Sequence, residues 1–352
     1  LKFQISNLKS SLRASLFLLL AGCSSFHAFR SPINLPRLPR RPARAALDVP
    51  FLAQKPGQCG PAALAMITAY YDKPALPDDI AAAVYLPNLR GALTTDLAAH
   101  AQRLGFWTRV YRGDIADLRQ KISAGTPLIL ATRFGANNHY LVAIAADNFA
   151  GAVTVHTDTR AAVVLTDEEL LHHWERAGRW TLLACPPNRA NWRLTPDEHN
   201  DLGVYLERRG KPIAAAGHYR LAAELAPRAA LYPFNLGNVF LKLDLNTEAA
   251  DAFRRAVTLE PDNADALNNL AVAWTALGAN LDEAAAHARR AAELRPAHRA
   301  YYLDTLGDIY AKQNKIPEAR AAYQQALDAT TDRQTKLRET IRAHLDKLAP
   351  PR

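Results

Sequence analysis

A pattern that returns every 34 to 36 residues governs the second half of the chain. Gly203, Gly237, Ala271 and Gly307 hold one position of it, and Ala215, Ala249, Ala284 and Ala319 a second. Tyr219, Phe253, Ala288 and Tyr323 form a third column, and Ala222, Ala256, Ala291 and Ala326 a fourth. Pro227, Pro261 and Pro296 close the first three units. A period of this length restricts the segment to stacked supersecondary units, each too small to bury its apolar face alone. The columns say which unit. Small residues let two helices approach closely, aromatic rings fill the gaps beside them, and the proline ends the second helix. Thr195-Pro196-Asp197-Glu198 predicts a capping box, with the Thr195 hydroxyl accepting the amide three residues on and Pro196 in the first turn. The array therefore spans 195–331 as four units. Thr331 stands where the next proline would be, and the charged segment from Asp332 predicts a solvent-facing closing helix within 332–352.

These columns resemble tetratricopeptide repeats. The resemblance implies an all-α solenoid whose concave face holds an extended peptide or a protein partner. The repeated positions are packing positions, so they carry no information about that ligand.

The formal charge of +9 raises the question of a nucleic-acid partner, and its location answers it. Eight of the 43 basic residues, Lys2, Lys9, Arg13, Arg30, Arg37, Arg40, Arg41 and Arg44, precede the first acidic residue, Asp48. The remainder, 35 basic against 34 acidic residues, is nearly neutral and does not predict nucleic-acid binding. A positive start, an apolar run from Ala14 to Leu20 and small residues before Cys23 have the build of a secretory signal over 1–23. The run is too short to span a bilayer core, which takes about 20 residues as a helix. Leu20-Ala21-Gly22-Cys23 resembles the lipobox of bacterial lipoproteins, which implies acylation of the Cys23 thiol and a lipid anchor in a membrane. Ser24 rather than Asp follows, and in such lipoproteins this favours the outer membrane, with the protein facing the periplasm. The Pro/Arg-rich stretch 24–47 lacks helical periodicity and predicts an extended spacer.

Between Asp48 and Pro187 the texture changes. Helical spacing covers Cys59 to Tyr71, Pro77 to Val84, Thr94 to Leu104 and Ile115 to Ser123. Strand-like runs follow at Pro127 to Thr132, His139 to Ala145, Ala152 to His156 and Trp180 to Cys185. Helices first and strands afterwards predict an α+β domain with an antiparallel sheet.

Cys59 lies in QKPGQCGPAALAMI, where Gly57 and Gly60 allow a tight entry and Pro61 suits the first turn of a helix. A sulfur at that place lies near the positive end of the helix dipole, which favours a nucleophilic thiolate. Its partner base is His139, at the head of the apolar run HYLVAIA. Asp158, just beyond the next strand, is placed to orient that imidazole if the two strands are hairpin neighbours. Gln54, five residues before the cysteine, offers a side-chain amide to an oxyanion beside the Cys59 backbone N–H. Asn137, Asn138 and Asp147 are the other candidates for the orienting role. His156, His172 and His173 have no spacing that suggests a metal site, and no phosphate-binding loop occurs, so neither metal nor cofactor is expected. Trp174 and Trp180 are expected in the core, Gln58 in solvent, and Cys185 as a buried thiol without a disulfide.

This constellation resembles the papain-like peptidases that process double-glycine leaders of bacteriocins, over about residues 48–187. VPFLAQKPGQCGPAALAMI is the most specific block, with the His139-Tyr140 strand and an aspartate after it. The resemblance implies a papain-like cysteine peptidase, with Cys59 as nucleophile, His139 as base and acid and Gln54 as oxyanion donor. Where that group carries Asp-Pro, this chain has Asp158-Thr159. Within that group the chain resembles the stand-alone bacterial lipoproteins that join such a domain to tetratricopeptide repeats. The expected function is thus a membrane-anchored cysteine peptidase. The alternative is a catalytically silent papain-like scaffold working through its repeats.

Overall fold

A computed structural model describes residues 46–89, 91–134 and 137–348. The signal segment, Cys23 and most of the spacer lie outside the described residues. The chain divides at Arg193 and Leu194 into two compact units.

In the first unit α1 (Cys59–Tyr70) is the central element. Its sequence is apolar on every side, and all of Cys59 to Thr68 is buried, as a helix without a polar face requires. It packs against α2 (Pro77–Val84), α3 (Thr94–Arg103) and the sheet. The sheet consists of β1 (Trp107–Arg112), β2 (Leu128–Phe134), β3 (Asn137–Asp147), β4 (Ala152–His156), β5 (Val163–Thr166) and β6 (Trp180–Cys185). Its order is β1-β6-β2-β3-β4-β5, and every pair is antiparallel. The middle strand β2 is buried from Leu128 to Thr132 and β4 along its whole length. That explains why they read as continuous apolar runs. Helices α4 (Ile115–Ser123) and α5 (Asp167–Glu175) complete the layers.

Three of these elements are absent from the sequence reading. In β1, WTRVYR, arginines interrupt the apolar alternation. The Arg109 guanidinium lies over Tyr111 at 5.4 Å and that of Arg112 over Trp180 at 5.5 Å, so each charged residue lays its head against an aromatic ring. Strand β5 has only four residues and runs directly into α5, where Thr166 and Glu169 form a capping box. Trp174 is fully buried as expected, whereas Trp180 is half-buried beneath Arg112.

Contacts of the first unit extend past the stretch 48–187 at both ends. Leu47, assigned to the spacer, donates its N–H to the Ile144 carbonyl at 2.9 Å. Ile144 is the extra residue of a β-bulge between Ala143 and Ala145, which takes its carbonyl out of the ladder with β4. At the other end Trp192 is buried, stacks on Trp107 at 5.9 Å and 11°, and has the Lys121 ammonium 5.4 Å from its ring. These contacts reach one residue before and five residues beyond the 48–187 read from sequence.

The second unit is four helix pairs and a closing helix. The pairs are α6 (Pro196–Arg208) with α7 (Pro212–Leu225), α8 (Leu231–Lys242) with α9 (Asn246–Leu259), α10 (Ala264–Leu277) with α11 (Leu281–Leu294), and α12 (Arg299–Lys312) with α13 (Ile316–Asp328). The closing helix is α14 (Thr335–Lys347). Thr195 and Glu198 form the expected capping box. Ala226, Glu260 and Arg295, each preceding a column proline, share one non-helical conformation, with φ of −131°, −133° and −134°. A following proline disfavours the helical region for the residue before it, and so each helix stops there.

The column glycines meet the column aromatics directly. A Cβ on Gly203 would lie 2.6 Å from Tyr219, on Gly237 2.7 Å from Phe253, and on Gly307 2.3 Å from Tyr323. In the third unit both partners change together: Ala271 replaces the glycine, Ala288 replaces the ring, and both are fully buried. One methyl is added where a whole ring has been removed. Between units, polar side chains bridge successive first helices, Asn235 to Asn200 at 2.7 Å and Asn269 to Asn238 at 2.9 Å.

We expect Gly237→Ala to cost about 1–3 kcal/mol in urea unfolding, because the new methyl overpacks against Phe253. Ala288→Phe alone should be destabilising in the same way, and Ala271→Gly with Ala288→Phe should recover most of that loss. A strictly additive double mutant would refute the paired packing. A pH effect follows from α6 and α7. His199 Nδ1 lies 2.9 Å from His218 Nδ1, and burial is the main reason that both rings sit below the ordinary histidine value, opposed at His199 by Glu198 and reinforced at His218 by His199. A histidine depressed in the folded state takes up its proton more readily unfolded. Its stabilising effect is present above the unfolded value near 6.5 and lost as pH falls through the folded one. Calorimetry of His218→Gln should show a smaller drop in thermal midpoint from pH 7.5 to pH 5 than the parent chain.

Candidate functional site

The loop before α1 is built by its own residues. Gln58 donates its N–H to the Lys55 carbonyl at 3.0 Å, Pro56 occupies the first central position, and Gly57 has φ of +77°. This is a type II turn, which needs the positive φ that glycine adopts without strain. The turn delivers Cys59 to the first residue of α1, where it is 5% exposed. Gln58 gives the helix no side-chain cap. Its carboxamide instead lies 3.4 Å from Asp78 on α2, which also takes Lys55 Nζ on both oxygens, at 2.8 and 2.7 Å. Lys55 first and Gln58 second hold the Asp78 carboxyl below its usual range. The contact links the loop to α2 but is solvent-exposed, so it contributes little to stability.

Gly60 has a different reason from Gly57. A Cβ there would lie 2.9 Å from Leu97 Cδ1 on α3 and 3.3 Å from the Tyr140 ring on β3. The residue after Cys59 therefore rests against the residue after His139. Tyr140 is fixed in turn: its hydroxyl is 2.8 Å from Thr94 Oγ1 and 3.3 Å from the Ala92 carbonyl.

His139 pairs with Thr132 across β2 and β3, and its carbonyl accepts the Thr132 hydroxyl at 3.1 Å. Its ring stands edge-on to Phe134 at 6.5 Å. Gln54 Nε2 is 3.4 Å from His139 Nε2. An amide nitrogen only donates, so in this contact the histidine nitrogen accepts. Gln54 also donates its backbone N–H to the Asp158 carbonyl at 3.3 Å.

Strands β3 and β4 are hairpin neighbours, the condition on which the orienting role of Asp158 was based. Asp158 reaches Gln54 through its main chain, while its carboxylate accepts from the Thr159 N–H at 2.9 Å and the Thr159 hydroxyl at 3.4 Å. The side chain is thus turned onto the neighbouring residue rather than onto the histidine ring. Asp147 is at the far end of β3, where its carboxylate accepts from the amides of Phe149 and Ala150. Eight residues of strand, about 27 Å, separate it from His139, which removes it from the candidates. Asn138 adjoins His139 on the same strand, and Asn137 opens it.

The remaining histidines and cysteines have structural places. His156 is buried, accepts from the Ala162 N–H at Nδ1 and faces the Val49 carbonyl with Nε2 at 2.9 Å, so it ties the start of the unit to β4. His173 lies against Phe134 at 4.0 Å, and burial sets it below the usual histidine value. Neither Cys59 nor Cys185 is in a disulfide. Cys185 lies opposite Trp107 and close enough to Tyr71, after the last residue of α1, to act on its hydroxyl. Cys59 is at the other end of that helix, about 18 Å away for 12 residues. In the second unit Asp304, Asp308 and His344 come together, a combination that sequence spacing did not single out. His344 Nδ1 is 2.9 Å from Asp304 and 3.5 Å from Asp308, an arrangement that docks α14 on α12. Burial first, and Asp308 second, raise the Asp304 carboxyl to about 6, against the pull of His344.

Gln54 thus meets the His139 ring and joins Asp158 through its backbone, while Gly60, next to Cys59, rests against Tyr140, next to His139. Residues 49–186 match the Peptidase C39 family, and residues 246–350 match a tetratricopeptide repeat-like domain. No curated protein sequence matches the chain. Among solved structures, a crystal structure of MamA is 22% identical over 38% of this chain and 77% of its own, with a TM-score of 0.36. The first TPR of Spaghetti (RPAP3) bound to an HSP90 peptide is also 22% identical, over 34% of this chain and 94% of its own, with a TM-score of 0.32. A segment similar to the Peptidase C39 family is thus followed in this chain by one similar to a tetratricopeptide repeat-like domain.

Proposed function

We propose that the protein is a cysteine peptidase held at a bacterial outer membrane through a lipid on Cys23, facing the periplasm, with its repeats binding the substrate or a partner protein. The observation that carries the reading is the seating of Gly60 on Tyr140 together with the contact of Gln54 and His139, which joins the start of the cysteine-bearing helix to the histidine strand. Cys23 lies outside the described residues, and its lipidation rests on the lipobox resemblance. Among the described residues no helix is long and apolar enough to cross a membrane.

In the proposed reaction the Cys59 sulfur attacks the carbonyl carbon of a peptide bond, and its proton passes to His139. The carbonyl oxygen becomes an oxyanion that accepts from the Cys59 backbone N–H and from Gln54, whose side-chain amide turns from the histidine to meet it. Such a donor is worth about 3 kcal/mol. His139 then gives the proton to the leaving amine, and a thioester remains. Water, deprotonated by the same ring, attacks the thioester; the carbon–sulfur bond breaks, the new carboxyl terminus leaves, and the ring returns its proton to the Cys59 sulfur. Asp158 completes the set once its carboxylate leaves Thr159 for the imidazole. Cleavage after paired small residues is the specificity the family resemblance suggests.

The rival, a silent scaffold acting through its repeats, is favoured by one feature, the engagement of the Asp158 carboxylate with Thr159. An electrophilic peptide probe decides between them. The peptidase reading predicts labelling of the parent chain and none of Cys59→Ser, with peptide cleavage at least ~10³-fold slower in that variant. Equal labelling of both would support the scaffold.

A further inference from the structure

Tyr140 takes no part in the bond-making steps, yet its side chain holds the place where three elements meet. It is 5% exposed, and its hydroxyl lies 2.8 Å from Thr94 Oγ1 and 3.3 Å from the Ala92 carbonyl oxygen. A carbonyl oxygen only accepts. When Tyr140 donates to Ala92, the Thr94 hydroxyl is the donor to Tyr140. Thr94 is the first residue of α3 and 4% exposed, and Leu97, one turn further on, touches the position of a Gly60 Cβ at 2.9 Å. The ring edge of Tyr140 closes the other side of that position at 3.3 Å. Gly60 thus sits in a seat made by α3 and Tyr140, with the nucleophile one residue before it. Tyr140 itself has His139 one residue before it. No other contact described above links the two proposed reacting residues by so short a covalent path on each side.

We propose that Tyr140, fixed by Thr94, is a positioning residue that sets the separation between the Cys59 sulfur and the His139 ring. The inference rests on the peptidase reading and adds a residue to it. Its lever is the sensitivity of proton transfer to placement, since a displacement of about 1 Å costs on the order of 10²-fold in rate. Releasing the hydroxyl frees the ring to tilt, Gly60 follows the ring, and α1 carries the sulfur with it. Among the described charged groups around this loop, Lys55 and Asp78 neutralise each other, and Asp158 is engaged with Thr159. In this proposal His139, once the Gln54 amide turns away from its Nε2, is the group through which a change in seating reaches the thiol.

The test uses the full chain and iodoacetamide, with alkylation followed on the Cys59-containing peptide by mass spectrometry. Tyr140→Phe keeps the ring against Gly60 and removes the hydroxyl, Thr94→Val removes the other end of the hydrogen bond, and Thr94→Ser restores a hydroxyl. In the parent chain, alkylation should persist at pH 6 at a rate comparable to that at pH 9.5. Both hydroxyl deletions should lower the pH 6 rate by about 10- to 100-fold while changing the pH 9.5 rate less than about twofold, and Thr94→Ser should return the parent profile. Melting temperatures measured alongside separate placement from stability. A variant that melts earlier but keeps the parent ratio of rates overturns the positioning role and leaves the peptidase reading intact. A parent chain whose Cys59 reacts at pH 6 no faster than an ordinary thiol overturns that reading, and the inference falls with it. If Tyr140→Phe does not fold, Thr94→Val decides by the same criterion.

Discussion

The first unit depends on a close approach that only a missing side chain permits. Gly60 lets α1 come down onto Leu97 and Tyr140 so tightly that a single methyl would have to displace one of them. Everything proposed for the site hangs on this contact. It fixes the height of Cys59 above the sheet, and through Tyr140 it refers that height to the strand carrying His139. The type II turn at Gly57 aims the chain into the helix, and exposed contacts link Lys55 and Gln58 to Asp78 on α2. Burial of nearly the whole of α1 then makes the helix a rigid mount, so that reactivity at its first residue is set by packing at its second.

The second unit uses the same device in repeated form. Glycine in the first helix of a pair faces an aromatic ring in the second, at three of the four levels. The exception is the third level, where Ala271 and Ala288 depart from the pattern together and in opposite directions of volume. Close packing at interior density leaves room for such exchanges only when both partners change. The helix ends obey a separate rule, in which the residue before each proline takes the same backbone conformation. Where Thr331 replaces the proline, the chain closes with the charged helix α14, fastened by a buried Ile341 and the pairing of His344 with Asp304.

Much of this was legible in the residues, and the failures have common causes. Helices Pro77–Val84 and Ile115–Ser123 and strands Ala152–His156 and Trp180–Cys185 lie where periodicity placed them, because each carries an uninterrupted apolar pattern with clear breakers at its ends. Strand β1 was hidden by arginines whose guanidinium groups cover rings, and β5 by being too short to show a period. The role of Gly60 was misread in kind: it serves close packing, whereas Gly57 alone supplies the turn. The gathering of Gln54 and His139 spans 85 residues of sequence and no local pattern could announce it. The carboxylate of Asp158 could be placed near the strand end by topology, but its preference for the adjacent Thr159 depends on a side-chain torsion that sequence does not encode. The Asn bridges between repeat units sit outside the repeating columns, which is why the columns do not reveal them.

The most direct test of the account is a crystal structure of the protein with a peptide aldehyde bound covalently to Cys59. The account predicts a hemithioacetal on the sulfur, a His139 ring nitrogen within about 3.5 Å of the reacting atoms, and Gln54 turned toward the hemithioacetal oxygen. A bound adduct with the imidazole directed elsewhere, out of reach by any rotamer of His139, would contradict it.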